Sequence, residues 1–216
     1  MRRELNQRIR HLELPDRMRH LPVNDQGFPV PYFVPYVNGE SEFRGFDGEK
    51  MVICVRHKRC WLCGEPLGKF MCFVIGPMCA VNRVSAEPPS HRDCALYAVR
   101  ACPFLTQPKM RRNEKDVPEH LEPAGLMLRR NPGVTLIWTT LRYTIFKDGH
   151  GGALFNVGDP ERVEFFAEGR AATRAEVIAS IDSGLPVLRE MAERDGPDAV
   201  AELQTMYGKA MELVPA

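Results

Sequence analysis

The chain has 216 residues, of which 44% are hydrophobic and 26% are charged, proportions typical of a folded globular protein. Its apolar runs fall short of the roughly 20 residues that span a bilayer, and its polar N-terminus lacks the apolar core of a signal peptide, so we expect a cytoplasmic protein without membrane segments. The net charge of +1 conceals an asymmetry. Residues 148–216 hold six basic and thirteen acidic side chains, a charge of −7, which leaves +8 on residues 1–147.

Composition divides the chain into four predicted regions. Residues 1–46 read as an extended arm, because the prolines at alternate positions between 29 and 35 exclude both a helix and a central strand. Residues 47–105 contain all seven cysteines and form a predicted zinc-binding module. Residues 106–133, with four prolines and mixed charge, are a predicted connector. Residues 134–216 are predicted to form an α+β C-terminal region.

Local patterns predict the elements of the predicted module. Apolar periodicity favours a helix over 47–59, and a β-prone run favours a strand over 69–75 that Gly76-Pro77 ends. The next residues, 76–83, fit neither a strand nor a helix and predict an irregular loop. Ser90 is the expected start of a helix that runs to about Ala101.

The C-terminal region predicts an antiparallel sheet followed by helices. Residues 134–146 are dense in β-branched and aromatic side chains, and further strands are expected over 153–157 and 162–167, after a turn at 148–152. Thr173 and Glu176 match a capping box. The helices are then predicted at 174–183, 186–194 and 198–213, with Gly184 ending the first.

Four residues in the predicted module have the spacing of metal ligands. The turn Cys60-Trp61-Leu62-Cys63-Gly64 brings two thiolates to one ion, since glycine permits the backbone angle that closes the bend. His91 and Cys94 lie three apart at a helix start and share a face. The seven cysteines of a cytoplasmic protein are expected to be reduced, which favours a metal site over disulfides. The sequence therefore predicts Zn²⁺ at Cys60, Cys63, His91 and Cys94.

A cysteine turn, a β-hairpin and a helix with ligands on its first turn resemble the treble-clef zinc finger over about residues 57–102. The resemblance implies an α+β fold in which a treble-clef-like zinc module joins an antiparallel sheet with C-terminal helices. The wider string from Phe73 to Leu105 resembles uncharacterised bacterial and phage proteins, which implies a prokaryotic setting.

Alternative ligand sets remain open. Cys79 can replace His91 in an all-cysteine site. An iron–sulfur cluster held by Cys60, Cys63, Cys79 and Cys102 is a further alternative, because a Cys-Pro pair at 102–103 is a feature of such ligation.

An enzymatic alternative centres on the Cys79–His91 loop. The cysteine turn resembles that of the HNH nucleases, but no Asp-His or His-His pair follows on the hairpin, so such a nuclease is degenerate here. A thiol enzyme with Cys79 as nucleophile, beside Arg83, and His91 as base is the second form of this alternative.

The charge asymmetry supports a binding protein as the leading hypothesis. A basic N-terminal two thirds suits a polyanion, DNA or RNA, while the acidic C-terminal part suits a protein partner. The predicted nucleic-acid contacts are Arg56, Lys58, Arg59, Arg111 and Arg112.

Overall fold

The chain folds as a mixed α+β protein of antiparallel sheets and C-terminal helices, as the sequence predicted. The computed structural model describes residues 3–113, 115, 117–122, 124, 125, 130–149 and 151–216. Parts of the predicted connector, and His150 of the predicted turn at 148–152, lie outside these residues. Within the described part of the chain, none of the helices is both long enough and apolar enough to cross a membrane.

The elements follow in chain order. The helices are α1 (Gly48–Arg56), α2 (Pro77–Asn82), α3 (Arg92–Ala101), α4 (Pro103–Thr106), α5 (Arg174–Asp195) and α6 (Pro197–Glu212), with 3-10 turns at Asp16–Met18 and Glu119–Leu121. The strands are β1 (Tyr36–Val37), β2 (Glu40–Ser41), β3 (Met71–Ile75), β4 (Val84–Ser85), β5 (Thr135–Thr140), β6 (Thr144–Lys147), β7 (Ala153–Asn156), β8 (Pro160–Ala167) and β9 (Arg170–Ala171).

The larger sheet joins distant parts of the sequence. It has the order β3-β5-β8-β9, and every neighbouring pair is antiparallel. Every residue of β5 is buried, because the strand lies between β3 and β8 and its faces are covered. Phe73 of β3 lies opposite Trp138 of β5. A second sheet has the order β4-β7-β6, and β1 pairs with β2 separately.

Two apolar clusters matter for the site. The larger cluster includes Phe73, Trp138 and Phe155, with buried residues of α2 and α5 among its members and α6 residues packed at its margin. The second cluster is built from N-terminal residues and cysteines: Ile9, Met18, Leu21, Cys60, Leu62, Cys63, Cys94, Tyr97 and Ala101. The N-terminal segment thus covers the region where the predicted metal ligands lie.

Three local predictions differ from the structure. Residues 77–82 form helix α2 instead of a loop, with Pro77 in the first turn, where its missing N–H costs nothing, and Arg83 in the left-handed conformation at the end. Helix α3 is capped by His91, not Ser90, since the Ser90 backbone pairs with Cys72 of β3. Helix α5 continues through Gly184, which is buried against Met78.

Candidate metal centre

The cysteine turn is held in shape by its own backbone. The Gly64 N–H donates to the Cys60 carbonyl at 2.8 Å, and the Cys60 N–H donates to the Glu65 carbonyl at 2.8 Å. Gly64 has a φ of +78°, and a Cβ on it would lie 2.8 Å from the Tyr32 ring. Glycine is therefore required here both by the backbone angle and by the close approach of Tyr32.

Backbone pairing brings the start of α3 to this turn. The N–H of Cys72 donates to the Ser90 carbonyl at 2.9 Å, and the Ser90 N–H donates back at 2.7 Å, which fixes the residue before His91 against β3. The Trp61 N–H donates to the Pro89 carbonyl at 3.1 Å. The cysteine turn at 60–64, which we call the knuckle, and the helix start are consequently held together by main-chain contacts on both sides.

Four ligand atoms meet at one point. The sulfur atoms of Cys60, Cys63 and Cys94 and a ring nitrogen of His91 all lie within 4.8 Å of one another. The Cys63 Sγ is 3.4 Å from His91 Nδ1, and the Cys94 Sγ is 3.9 Å from the same nitrogen. The cysteines are at most 1% exposed and His91 is 9% exposed. This Cys3His group is buried and close enough to bind a metal ion.

Surrounding backbone groups orient the donors. The N–H groups of Cys63 and His91 both donate to Cys60 Sγ at 3.4 Å. The Nε2 atom of His91 lies 2.9 Å from the Pro66 carbonyl oxygen, which can only accept, so Nε2 carries the proton in a neutral ring. Nδ1 then presents its lone pair to the three sulfur atoms, as a metal ligand requires.

The protons within the group are unevenly shared. Burial alone raises the pKa of the Cys60 thiol, but hydrogen bonds from Cys63, Cys94 and His91 outweigh it and hold that pKa below its ordinary value. Hydrogen bonding to Cys60 raises the pKa of Cys94 above its ordinary value. Burial opposes the charged form of His91, yet its hydrogen bonds to Cys60 and Cys63 raise its pKa to about 10. A cation at this point would replace these protons as the positive partner of the thiolates.

The alternative ligands lie elsewhere. Among the described residues, neither Cys79 nor Cys102 belongs to the four-residue group. Burial raises the pKa of Cys79 to about 11, which disfavours its thiolate. Both ring nitrogens of His91 face partners other than Cys79: Nδ1 faces Cys63 and Cys94, and Nε2 faces Pro66. The arrangement leaves no free nitrogen on His91 to act as a base toward Cys79.

The predicted basic contacts fall into two kinds. Arg56 is exposed at the end of α1, and Lys58 is exposed two residues before Cys60. Arg111 is exposed as well. Arg59 donates to the Gly64 carbonyl at 2.9 Å, and Arg112 donates to the Arg44 carbonyl, so these two guanidinium groups bind main chain. The exposed cations are the ones that can meet a polyanion.

Sequence reasoning missed two parts of the centre. The Pro66 carbonyl, a backbone group, carries no side-chain signal. The packing of Ile9, Met18 and Leu21 over the cysteines was also not predicted. The spacing of apolar residues in the otherwise basic N-terminus was the sequence signal for this packing. Such spacing indicates a buried face but not the residues that it packs against.

Comparison with known proteins gives no match: no protein-family model, no curated protein and no solved structure matches this chain. The treble-clef interpretation therefore depends on the ligands and their arrangement alone.

Proposed function

We propose that Cys60, Cys63, His91 and Cys94 hold a structural Zn²⁺ and that the protein binds nucleic acid through the basic surface beside this centre. The observation that carries the proposal is the buried Cys3His group, whose four donors converge within 4.8 Å. Four protein ligands complete a tetrahedral zinc shell, which gives the ion a structural role.

The donor set favours zinc over an iron–sulfur cluster. Three thiolates and one imidazole are a common structural zinc set, whereas clusters of the simple types take four cysteines. The cysteines proposed for the cluster alternative, Cys79 and Cys102, stand outside the group. When bound, zinc supplies a cross-link between the knuckle and helix α3, and no substrate-binding position is needed for that role.

The surface next to the knuckle suits a polyanion. Arg56 and Lys58 are exposed, and in the described part of the chain neither forms an ion pair with a carboxylate. They belong to residues 1–147, which carry a net charge of +8. Cations left free of carboxylates can bind phosphates without first giving up an internal partner.

Two measurements test the proposal. Elemental analysis of the purified protein is expected to find about one zinc and no stoichiometric iron per chain. Binding of a fluorescent oligonucleotide is followed by anisotropy. The logarithm of the binding constant is expected to fall linearly with the logarithm of the salt concentration. The double variant Arg56→Ala/Lys58→Ala is expected to bind more weakly and with a shallower salt slope.

The matched control is Arg189→Ala/Lys209→Ala, which removes two exposed cations from α5 and α6, in the acidic region. It is expected to bind like the unmodified protein. Absence of zinc would overturn the metal assignment. Absence of binding to any oligonucleotide at low salt would overturn the nucleic-acid assignment, and the two results are independent.

A further inference from the structure

An exposed aromatic ring lies beside the knuckle. Phe70 comes directly before β3 and is 54% exposed, although the strand that follows it contributes the buried Cys72 and Phe73. The Lys69 ammonium lies over the ring, with its nitrogen 5.8 Å from the ring centroid. More than half of this residue is exposed, so the ring has surface open to a ligand.

Main-chain pairing brings this ring to the basic surface. Arg59 and Pro66 form an antiparallel bridge, and the Leu67 N–H donates to the Lys58 carbonyl at 2.8 Å. Residues 57–58 therefore run beside residues 67–68. Phe70 follows Leu67 by three residues, so its backbone lies within about 10 Å of Leu67. The Phe70 backbone thus lies near the end of the ribbon that carries Lys58, and we take the ring and these cations together as one surface.

This surface, which we call the knuckle patch, is basic. It consists of Arg56, His57, Lys58, Lys69 and Phe70, all of which are exposed. Considering only residues that the structure describes, Arg56, Lys58 and Lys69 make no ion pair with a carboxylate. Glu65, the acidic residue of the ribbon, lies at its opposite end, where its carbonyl accepts from the Cys60 N–H directly after the cysteine turn.

The combination of a ring and free cations discriminates between nucleic-acid forms. Phosphate contacts alone serve duplexes and single strands alike. A duplex keeps the faces of its bases stacked on one another, so it has no base face to offer an exposed ring. An unpaired strand presents base faces, and base stacking on an aromatic ring beside cations is how single strands are held.

We infer that the knuckle patch binds unpaired nucleic-acid strands, with a base stacked on Phe70 and the phosphates beside it on Arg56, Lys58 and Lys69. The inference depends on the proposed nucleic-acid function and specifies the form of its ligand. RNA and DNA share the required chemistry, a stackable base and a phosphate backbone.

Anisotropy titrations of the zinc-loaded, full-length protein test this. The probes are labelled oligo(U), labelled oligo(dT) and a blunt DNA duplex, each of about 12 nucleotides per strand. Single strands are expected to bind more tightly than the duplex. Phe70→Ala is expected to weaken single-strand binding about five- to 150-fold, the range that stacking of one base contributes, without changing the salt slope. Phe70→Tyr keeps the ring face and is expected to bind like the unmodified protein.

Phe146→Ala is the matched control. Phe146 on β6 is also exposed, at 41%, and its replacement by alanine removes the same ring as Phe70→Ala does. Its binding is expected to be unchanged. A second readout uses Phe70→Trp. The natural tryptophans, Trp61 and Trp138, are buried, so the new indole reports on the patch, and single strands are expected to quench it more than the duplex does.

The outcomes separate the inference from the proposed function. Duplex binding as tight as single-strand binding, or a Phe70→Ala variant that binds like the unmodified protein, overturns the inference while nucleic-acid binding stands. No binding to any probe at low salt overturns both. A preference for oligo(U) or for oligo(dT) supports the inference and identifies the strand.

Discussion

The Nε2 atom of His91 lies 2.9 Å from the Pro66 carbonyl oxygen, and this contact turns Nδ1 toward the sulfur atoms of Cys63 and Cys94. The carbonyl fixes the tautomer, so His91 enters the cluster already oriented as a ligand. One backbone group thus decides which nitrogen of the ring can bind a metal.

His91→Ala is expected to weaken zinc binding by more than the roughly 10- to 100-fold that loss of an outer-shell partner causes, because a ligand itself is removed. His91→Cys is expected to keep about one zinc per chain, since four thiolates also complete the shell. Competition with a coloured zinc chelator measures both. His20→Ala, which removes an exposed histidine, is the control and is expected to bind zinc normally. Equal zinc affinity of His91→Ala and the unmodified protein would remove His91 from the ligand set.

Removal of the metal is expected to release the N-terminal segment. Ile9, Met18 and Leu21 are buried against the cysteines. Without a cation, the thiolates take up protons and nothing cross-links the cysteine turn to α3, so the cluster beneath the segment is expected to open. Trypsin cleavage after Arg8 and Arg10 should then become at least about tenfold faster in a strong chelator, because the segment must unfold locally to be cut.

Mass spectrometry of the fragments measures these cleavage rates, and added zinc is expected to restore the slow rate. Cleavage after Arg189, an exposed residue of α5, is the internal control and should change less. Equal rates with and without chelator after Arg8 and Arg10 would show that the segment is held independently of the metal.

The features that the sequence predicted correctly are those set by interactions between residues close together in the chain or by the chemistry of the ligands. The capping box at Thr173 and Glu176 is present, with Glu176 accepting from the Thr173 N–H at 2.8 Å. The convergence of Cys60, Cys63, His91 and Cys94 followed from spacing and ligand type. The capping box and each ligand pair, Cys60 with Cys63 and His91 with Cys94, join residues three positions apart, whose geometry the local chain determines. The meeting of the two pairs was predicted from ligand type, and long-range backbone pairing produces it.

The parts that were missed depend on distant contacts. Gly184 was read as a helix end, because glycine commonly occupies that place, but its contact with Met78 of α2 explains its small size. The pairing of β3 with β5 joins residues more than 60 positions apart, and no local signal specifies that partner. The N-terminal cover over the cysteines is a contact of the same long-range kind.

Glu87 is expected to make stability depend on pH. Burial raises the pKa of its carboxyl from 4.5 to about 7, so the folded protein holds this proton more tightly than the unfolded chain does. The stability that this proton contributes is complete below about pH 4.5 and is lost as the pH rises through about 7. Between about pH 6 and pH 8 the unfolding free energy should therefore fall by about 1 kcal/mol from this group.

Glu87→Gln keeps the shape of the protonated carboxyl and is expected to lose this part of the pH dependence. Urea unfolding at both pH values measures it. Glu161→Gln on β8, which removes an exposed carboxylate, is the control. Its unfolding free energy is expected to depend on pH as that of the unmodified protein does. An unchanged slope in Glu87→Gln would mean that Glu87 is ionised in the folded protein throughout this range.

Two glycines inside helices are expected to respond in opposite ways to alanine. A Cβ on Gly184 of α5 would lie 2.5 Å from Met78 Cγ, whereas a Cβ on Gly208 of α6 would meet no atom within 4 Å among the described residues. Alanine favours a helix over glycine by about 1 kcal/mol. Gly208→Ala is therefore expected to raise the unfolding free energy by about 0.5–1 kcal/mol.

Gly184→Ala is expected to lower the unfolding free energy by about 1–3 kcal/mol, because the clash with Met78 outweighs the gain in helix propensity. Urea unfolding compares the two variants directly. Met78→Ala removes the colliding atoms, so the double variant Gly184→Ala/Met78→Ala should be more stable than the sum of the two single changes indicates. If Gly184→Ala stabilised the protein as much as Gly208→Ala, α5 would not approach α2 as closely as described. The contact between Gly184 and Met78 would then not explain the glycine at this position.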